Sequence, residues 1–183
     1  MPTPGVTFQL LDGGQAAAQE RELQALHREV YGQPGDGAEF SRQLRMRCRQ
    51  PGFVLAEAHH GGYLVGYASG MPLRPSTSWW RDLTAQLPAE VTAEHPGRTF
   101  ALADLVVRAS WRRQGIARAL HDLLLAGRTE ERATLTVLPA AAPAQHAFRA
   151  WGWRKVARTR DPRPGFPVCD VLLTTLPLGR MTR

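Results

Sequence analysis

Residues 100–107 read FALADLVV and residues 109–127 read ASWRRQGIARALHDLLLAG, with Arg108 between them. The first stretch is apolar at every position but Asp104, the pattern of an interior strand buried on both faces. In the second, Ile116, Leu120, Leu123 and Leu124 recur at helical spacing and Gly127 ends the run. A buried strand thus turns through Arg112-Arg113-Gln114-Gly115-Ile116-Ala117 into an amphipathic helix. The first N–H groups of such a helix lack intrahelical partners, and the helix dipole adds positive charge to them. Gly115 lets the backbone approach a bulky group, while Arg112, Arg113 and Arg118 supply guanidinium groups around it. This chemistry suits a pyrophosphate. The turn has neither the Gly-Lys-Ser/Thr of a Walker loop nor the three glycines of a dinucleotide fingerprint, so nucleotide hydrolysis and hydride transfer recede. The same residues also suit a tight strand-to-helix turn with solvated arginines.

Working outward, Val6–Leu11 reads as a strand and 16–31 as a helix, with Leu23, Leu26, His27 and Val30 on one face. A short basic helix over 40–48 carries Arg42, Arg45 and Arg47. Strands are expected at 53–58 and 63–71, joined by a turn His59-His60-Gly61-Gly62 whose histidines lack a nearby third metal ligand. Residues 72–99 form an irregular insertion punctuated by Pro72, Pro75, Pro88 and Pro96, with a helix expected from Ser78 through Trp79, Trp80 and Leu83. A strand at 134–138, a helix at 143–151, and strands at 153–160 and 168–176 complete an alternating α/β pattern.

The chain has 183 residues, enough for one domain over 1–183 with a substantial core. Its 23 basic residues, 22 Arg and Lys155 alone, outweigh 16 acidic ones to give +7. That charge steers anions toward the surface, although an Arg-rich, Ala-rich composition also follows from a GC-rich genome. Cys48 and Cys169 form no CxxC or Cys/His pattern, which fits a reduced, cytoplasmic chain without a metal. No signal-peptide pattern and no membrane-spanning apolar run is present. The run Arg42 to Arg49 lacks any nucleic-acid-binding signature and reads as a solvated face.

Arg112-x-x-Gly115-x-Ala117 after an apolar fourth strand resembles the Gln/Arg-x-x-Gly-x-Gly/Ala motif of the GNAT superfamily of acyl-CoA-dependent N-acyltransferases. Leu105-Val106-Val107, Arg118-Ala119-Leu120, Leu135-Thr136-Val137 and Ala150-Trp151-Gly152-Trp153 fall in the same order and spacing, so the resemblance spans about 100–156, the cofactor-binding core. It implies an α/β (α+β) GNAT fold: a mixed, mostly antiparallel sheet of 6–7 strands flanked by helices, with a splayed cleft between the fourth and fifth strands. It also implies acetyl-CoA as cofactor, with CoA as product. The amides of Arg113, Gln114, Gly115, Ile116, Ala117 and Arg118 would hold the pyrophosphate, Leu105, Val106 and Val107 the pantetheine arm, and Ala144 and Phe148 the cleft wall.

The implied reaction is acetyl transfer to a primary amine of a small molecule by direct attack in a ternary complex. A protein or peptide acceptor, or a CoA-binding regulatory module with little turnover, are the alternatives. Asp104 is the candidate general base, though an aspartate there can equally be structural and paired with an arginine; Glu57 is the alternative base. The resemblance places a Tyr acid where this chain has Phe148, and an Asn where it has Ala141. Tyr67, Ser110 and His146 are other conceivable donors. For the acceptor, Trp79 and Trp80 offer stacking faces, Glu29 and Glu39 carboxylates, and Arg160-Asp161-Pro162-Arg163 a polar lid. No nucleic-acid or membrane partner is expected, and oligomeric state is left open, a homodimer included.

Overall fold

The computed structural model describes residues 4–32, 36–160 and 167–178. Its strands are β1 (Val6–Asp12), β2 (Val54–His60), β3 (Tyr63–Pro72), β4 (Thr99–Val107), β5 (Arg132–Val137), β6 (Arg154–Arg160) and β7 (Val168–Thr175). The helices are α1 (Gly13–Ala18), α2 (Glu20–Tyr31), α3 (Asp36–Cys48), α4 (Ala89–Thr92), α5 (Ile116–Leu125) and α6 (Ala142–Ala150). One mixed seven-stranded sheet runs in the order β1-β2-β3-β4-β5-β7-β6. Its β4–β5 pairing is parallel and covers Thr99↔Arg132, Phe100↔Ala133 and Ala101↔Thr134. The flanking β1–β2, β2–β3, β5–β7 and β6–β7 pairings are antiparallel.

Contacts gather the chain into two compact units, residues 1–71 with 102–126 and residues 72–101 with 127–183. In the first, Phe53, Leu55, Leu64, Tyr67 and Val106 form a core with Leu23 and Leu26 of α2 and Phe40 and Leu44 of α3. The expected helix over 16–31 is two helices: Asp12 closes a capping box on Gln15 to start α1, and α2 begins anew after Gln19. Helix α5 buries Ile116, Leu120, Leu124 and Leu125 and packs against β1 and β2. At Gly66 a Cβ would stand 2.8 Å from the Val106 carbonyl oxygen and 3.2 Å from both Leu120 Cδ1 and Val107 Cγ2. Only glycine permits that approach.

The second unit has its own cluster of Trp80, Val171 and Leu173, packed by Trp79, Leu83, Val91, Val156 and Ala157. The helix expected from Ser78 does not form; within residues 72–99 the helix is the short α4, further along. Instead Leu83 bridges Thr159, Thr84 N–H donates to the Arg158 carbonyl at 2.9 Å, and Arg160 N–H donates to the Asp82 carbonyl at 2.9 Å. Backbone groups on an otherwise open edge of β6 are satisfied this way, which outweighs local helix preference. The histidine pair likewise extends β2 rather than forming the turn, which falls on Gly61-Gly62. Among the described residues no helix is long and apolar enough to cross a membrane.

Two predictions follow from this packing. Gly66→Ala forces apart backbone and side chains that cannot yield freely, so a loss of about 1–3 kcal/mol is expected; an unchanged urea midpoint would contradict the close approach of Gly66 to Val106. The Glu130 side chain, 4% exposed, accepts from Arg128 Nε at 2.9 Å. Burial raises its pKa, but the Arg128 hydrogen bonds and charge outweigh burial and hold it below the ordinary 4.5. Such a group stabilises the fold above its unfolded pKa and ceases to do so as pH falls through the folded one. Glu130→Gln should therefore cost about 1–3 kcal/mol at pH 7, with the gap to wild type closing on acidification. A gap still undiminished at about pH 2 would overturn the assignment.

Candidate functional site

Strand β4 ends under a tight brace. Arg108 is buried, its N–H donates to the Val65 carbonyl at 3.0 Å, and its Nε donates to the Leu64 carbonyl at 2.7 Å. Its guanidinium lies 4.2 Å from the Tyr63 ring centroid and pairs with Glu29. Burial lowers the pKa of this guanidinium from its ordinary value. Glu29, expected as an acceptor-binding carboxylate, is thus engaged in holding the strand end. A 3₁₀ turn at Ala109–Trp111 follows. The loop is then tied back on itself: Arg112 Nε donates to the Val107 carbonyl at 3.1 Å and Gln114 Nε2 to the Ser110 carbonyl at 3.0 Å.

The turn enters α5 through two left-handed residues, Arg113 at φ +62° and Gly115 at φ +77°. Arg113 is the only non-glycine with positive φ among the described residues, a conformation that costs energy and is held by its surroundings. Gly115 is the N-cap, and no side chain caps the helix. The amides of Ile116, Ala117 and Arg118 therefore keep unsatisfied donors at the positive end of the dipole, on a helix anchored by Ile116 and Leu120. Arg118, in the first turn, donates from Nε to Asp122 Oδ2 at 2.6 Å, one turn further along the helix. Of the residues expected to hold the cofactor, 112–118 are gathered in this one turn, and Val106 and Val107 lead into it, both buried. Ala144 and Phe148 stand on α6 in the second unit. Phe148 is buried there and meets Trp151 and Trp153 edge-on, with centroids 5.4 and 5.8 Å away.

A polar group lies on the sheet face covered by α2 and α3. Asp104 Oδ2 accepts from Ser69 Oγ at 2.6 Å and from Arg47 Nη1 at 2.8 Å. The Tyr67 hydroxyl lies 3.2 Å from His27 Nδ1. Burial, with the negative charge of Asp104, pushes the Tyr67 hydroxyl pKa well up and raises that of Tyr31 as well. Arg112 opposes the shift at Tyr31, which puts the polar face within electrostatic reach of the loop before α5. Tyr31, Arg47 and Ser69 were not singled out by sequence reasoning. Arg47 sits in the basic run read as solvated, yet its side chain is 28% exposed and paired with Asp104.

Glu57 is fully buried opposite Tyr67 in the β2–β3 register. Its Oε2 accepts from Gln9 Nε2 at 2.9 Å and lies 3.1 Å from His59 Nε2, while Oε1 has no partner. His60 packs its ring on Trp111, 4.8 Å between centroids. Trp80 is buried and donates from Nε1 to Glu94 Oε1 at 2.9 Å, and Trp79 packs beside it in the same cluster. Trp80 is thus a core member of the second unit, with Trp79 partly buried against it. Glu39 pairs with Arg42, and Asp161, Pro162 and Arg163 of the expected lid lie outside the described residues. Among the described residues no group of three or more His, Cys, Asp or Glu could hold a metal ion.

The sequence matches the model of the acetyltransferase (GNAT) family over residues 19–153. No curated protein matches it. The fold is similar to that of the ribosomal-protein-S18-alanine N-acetyltransferase from Escherichia coli, with TM-score 0.67, 13% identity, and coverage of 97% of this chain and 98% of that one. It is similar to Arabidopsis thaliana NAA60 in complex with acetyl-CoA, with TM-score 0.66, 16% identity, and coverage of 93% and 98%. It is also similar to aminoglycoside 6'-acetyltransferase type Ii, with TM-score 0.66, 16% identity, and coverage of 92% and 96%. With three quarters of its length inside the family match and the sheet order and helix-entry turn described above, the chain belongs to the acetyltransferase (GNAT) family.

Proposed function

We propose that the chain transfers an acetyl group from acetyl-CoA to a primary amine of a small molecule, by direct attack in a ternary complex. The observation that carries the reading is the uncapped N-terminus of α5, entered through left-handed Gly115 and flanked by Arg112, Arg113 and Arg118. Open amide donors, a helix dipole and nearby guanidinium groups fit a pyrophosphate. Acetyl-CoA, when bound, supplies an activated acyl thioester. The amides of 113–118 hold its pyrophosphate, and the backbone of Leu105, Val106 and Val107 aligns the pantetheine arm.

An attacking amine must first lose a proton from an ammonium group of ordinary pKa about 10. Asp104 is the residue proposed to accept it. Ser69 and Arg47 both donate to its Oδ2, so it is an acceptor held in a fixed position. Glu57 is the alternative base, buried and with one oxygen unpartnered. Phe148 cannot donate a proton, so the thiolate leaves without a protein acid at that position. A CoA thiolate, of ordinary pKa about 8.5 by analogy with cysteine, is a tolerable leaving group near neutral pH.

A second reading, a CoA-binding module with little turnover, is favoured by Phe148 and Ala141 standing where the family pattern has Tyr and Asn. A protein acceptor is the alternative, supported by the similarity to the ribosomal-protein-S18-alanine N-acetyltransferase. Cytoplasmic residence accords with the reduced cysteines.

Calorimetric titration with acetyl-CoA and CoA, followed by thiol release over a panel of amines, tests the reading. Ala117→Glu places a carboxylate at the helix start, where it suits the dipole but repels a phosphate, so the fold is expected to persist while CoA affinity falls at least about 100-fold. Undiminished binding in this variant would sink the pyrophosphate assignment. Asp104→Asn is expected to keep acetyl-CoA affinity and lower kcat by about 10²–10⁴; retained turnover would remove it as the base. Binding without thiol release for every amine would favour the second reading.

A further inference from the structure

A second polar concavity lies within the second unit, between α6 and the β6–β7 hairpin. It encloses about 480 Å³ and is lined by Gln145, His146 and Arg149 from α6, Lys155 and Arg158 from β6, and Asp170 from β7. Gln145, His146 and Arg149 are spaced i, i+3 or i+4, and so share one face of the helix. Ala144 and Phe148 point about 100° or more away around the same helix. The groove is therefore a different surface of α6 from the one assigned above to the thioester.

The strand side is shaped by an irregularity. Lys155 pairs with Leu172 and Ala157 with Val171, so the β6–β7 register shifts and Val156 is the extra residue. In a regular strand residues three apart face opposite sides. The bulge turns Lys155 and Arg158 to the same side, where both reach Asp170: Lys155 Nζ at 2.6 Å and Arg158 Nε at 3.1 Å. Gln145 Nε2 donates to the other oxygen of Asp170 at 3.0 Å. A bulge that re-aims side chains is a common device at functional positions. Lys155 is also the one lysine among 23 basic residues, a compact ammonium where every other position uses arginine.

The charges do not balance. Asp170, 8% exposed, is saturated by its three donors, and burial, which raises its pKa, is outweighed by Lys155 and Arg158, which hold it low. Against that one carboxylate stand three permanent cations, Lys155, Arg158 and Arg149. Arg149 has no ion-pair partner among the described residues and Arg158 is 54% exposed. Asp170 anchors Lys155 and Arg158, each of which keeps N–H groups beyond the one it gives to Asp170, on side chains that line the cavity with Arg149. The surplus of two positive charges matches a phosphate monoester, whose oxygens accept bidentate bonds from arginine. The volume is that of a small-molecule site.

We infer that this groove binds a low-molecular-weight phosphate monoester, as an acceptor handle or an effector of the enzyme. The inference does not rest on acetyl transfer, and its test is a binding measurement. The full chain is titrated with ribose 5-phosphate in a phosphate-free buffer, followed by calorimetry and by NMR of the Gln145 and Trp153 side-chain N–H groups. Saturable binding with Kd on the order of 1 mM or tighter is expected. Arg149→Gln combined with Arg158→Gln should weaken it at least about tenfold, with the thermal midpoint checked to show that the fold is kept. Ala117→Glu, which alters the α5 terminus, should leave it unchanged. No saturation by about 10 mM overturns the inference, as does binding lost in Ala117→Glu but kept in the Arg149/Arg158 variant. Succinate binding as tightly as the sugar phosphate overturns the phosphate assignment.

Discussion

Strand β3 meets the end of β4 at a point where nothing larger than a hydrogen fits: a Cβ on Gly66 would come to 2.8 Å from the Val106 carbonyl oxygen and 3.2 Å from Leu120 Cδ1 of α5. Helix α5 rests over this place through Leu120, and its buried Ile116, Leu120 and Leu124 hold it there. The orientation of its first turn follows. With Arg108 braced by the Leu64 and Val65 carbonyls, the loop between strand and helix has both ends fixed. The left-handed conformations at Arg113 and Gly115 are therefore imposed by anchored neighbours rather than chosen by the loop. An anion site built on backbone amides needs this rigidity, because the donors cannot be re-aimed one at a time.

The polar face over β2–β4 has the opposite character, since it is made of side chains from several elements. Asp104, Ser69, Arg47, Tyr67, His27 and Glu57 come from β4, β3, α3, α2 and β2, and each is positioned by hydrogen bonds rather than by the backbone. Polar groups sealed beneath helices are costly unless paired. Most are paired here, and Glu57 Oε1 is an exception. Under the proposed function, this division between a rigid, backbone-made helix entry and an assembled polar face suits one constant substrate half and one variable half.

The turn into α5 was legible in the sequence because its signals are local: an apolar run, a glycine, and apolar residues at helical spacing within 28 residues. The mixed, mostly antiparallel sheet flanked by helices followed from resemblance over the same stretch. The rest failed to show where information is nonlocal. Arg47 looked like one more exposed arginine, and only the fold brings it to Asp104, 57 positions away. Glu29 looked free, yet it answers Arg108, 79 positions on. Trp79 and Trp80 suggested a helix and a stacking platform, but pairing of the insertion with the edge of β6 decided their place, Trp80 in the core cluster and Trp79 packed against it. The bulge at Val156 left no sequence mark, since a register shift depends on the partner strand.

The central claim is that the first amides of α5 hold the cofactor pyrophosphate. It is tested most directly by following backbone ¹⁵N–¹H resonances while the protein is titrated with CoA. The account predicts the largest shifts at Gly115, Ile116, Ala117 and Arg118, saturating with the calorimetric affinity. CoA that binds while these amides stay unmoved would contradict it.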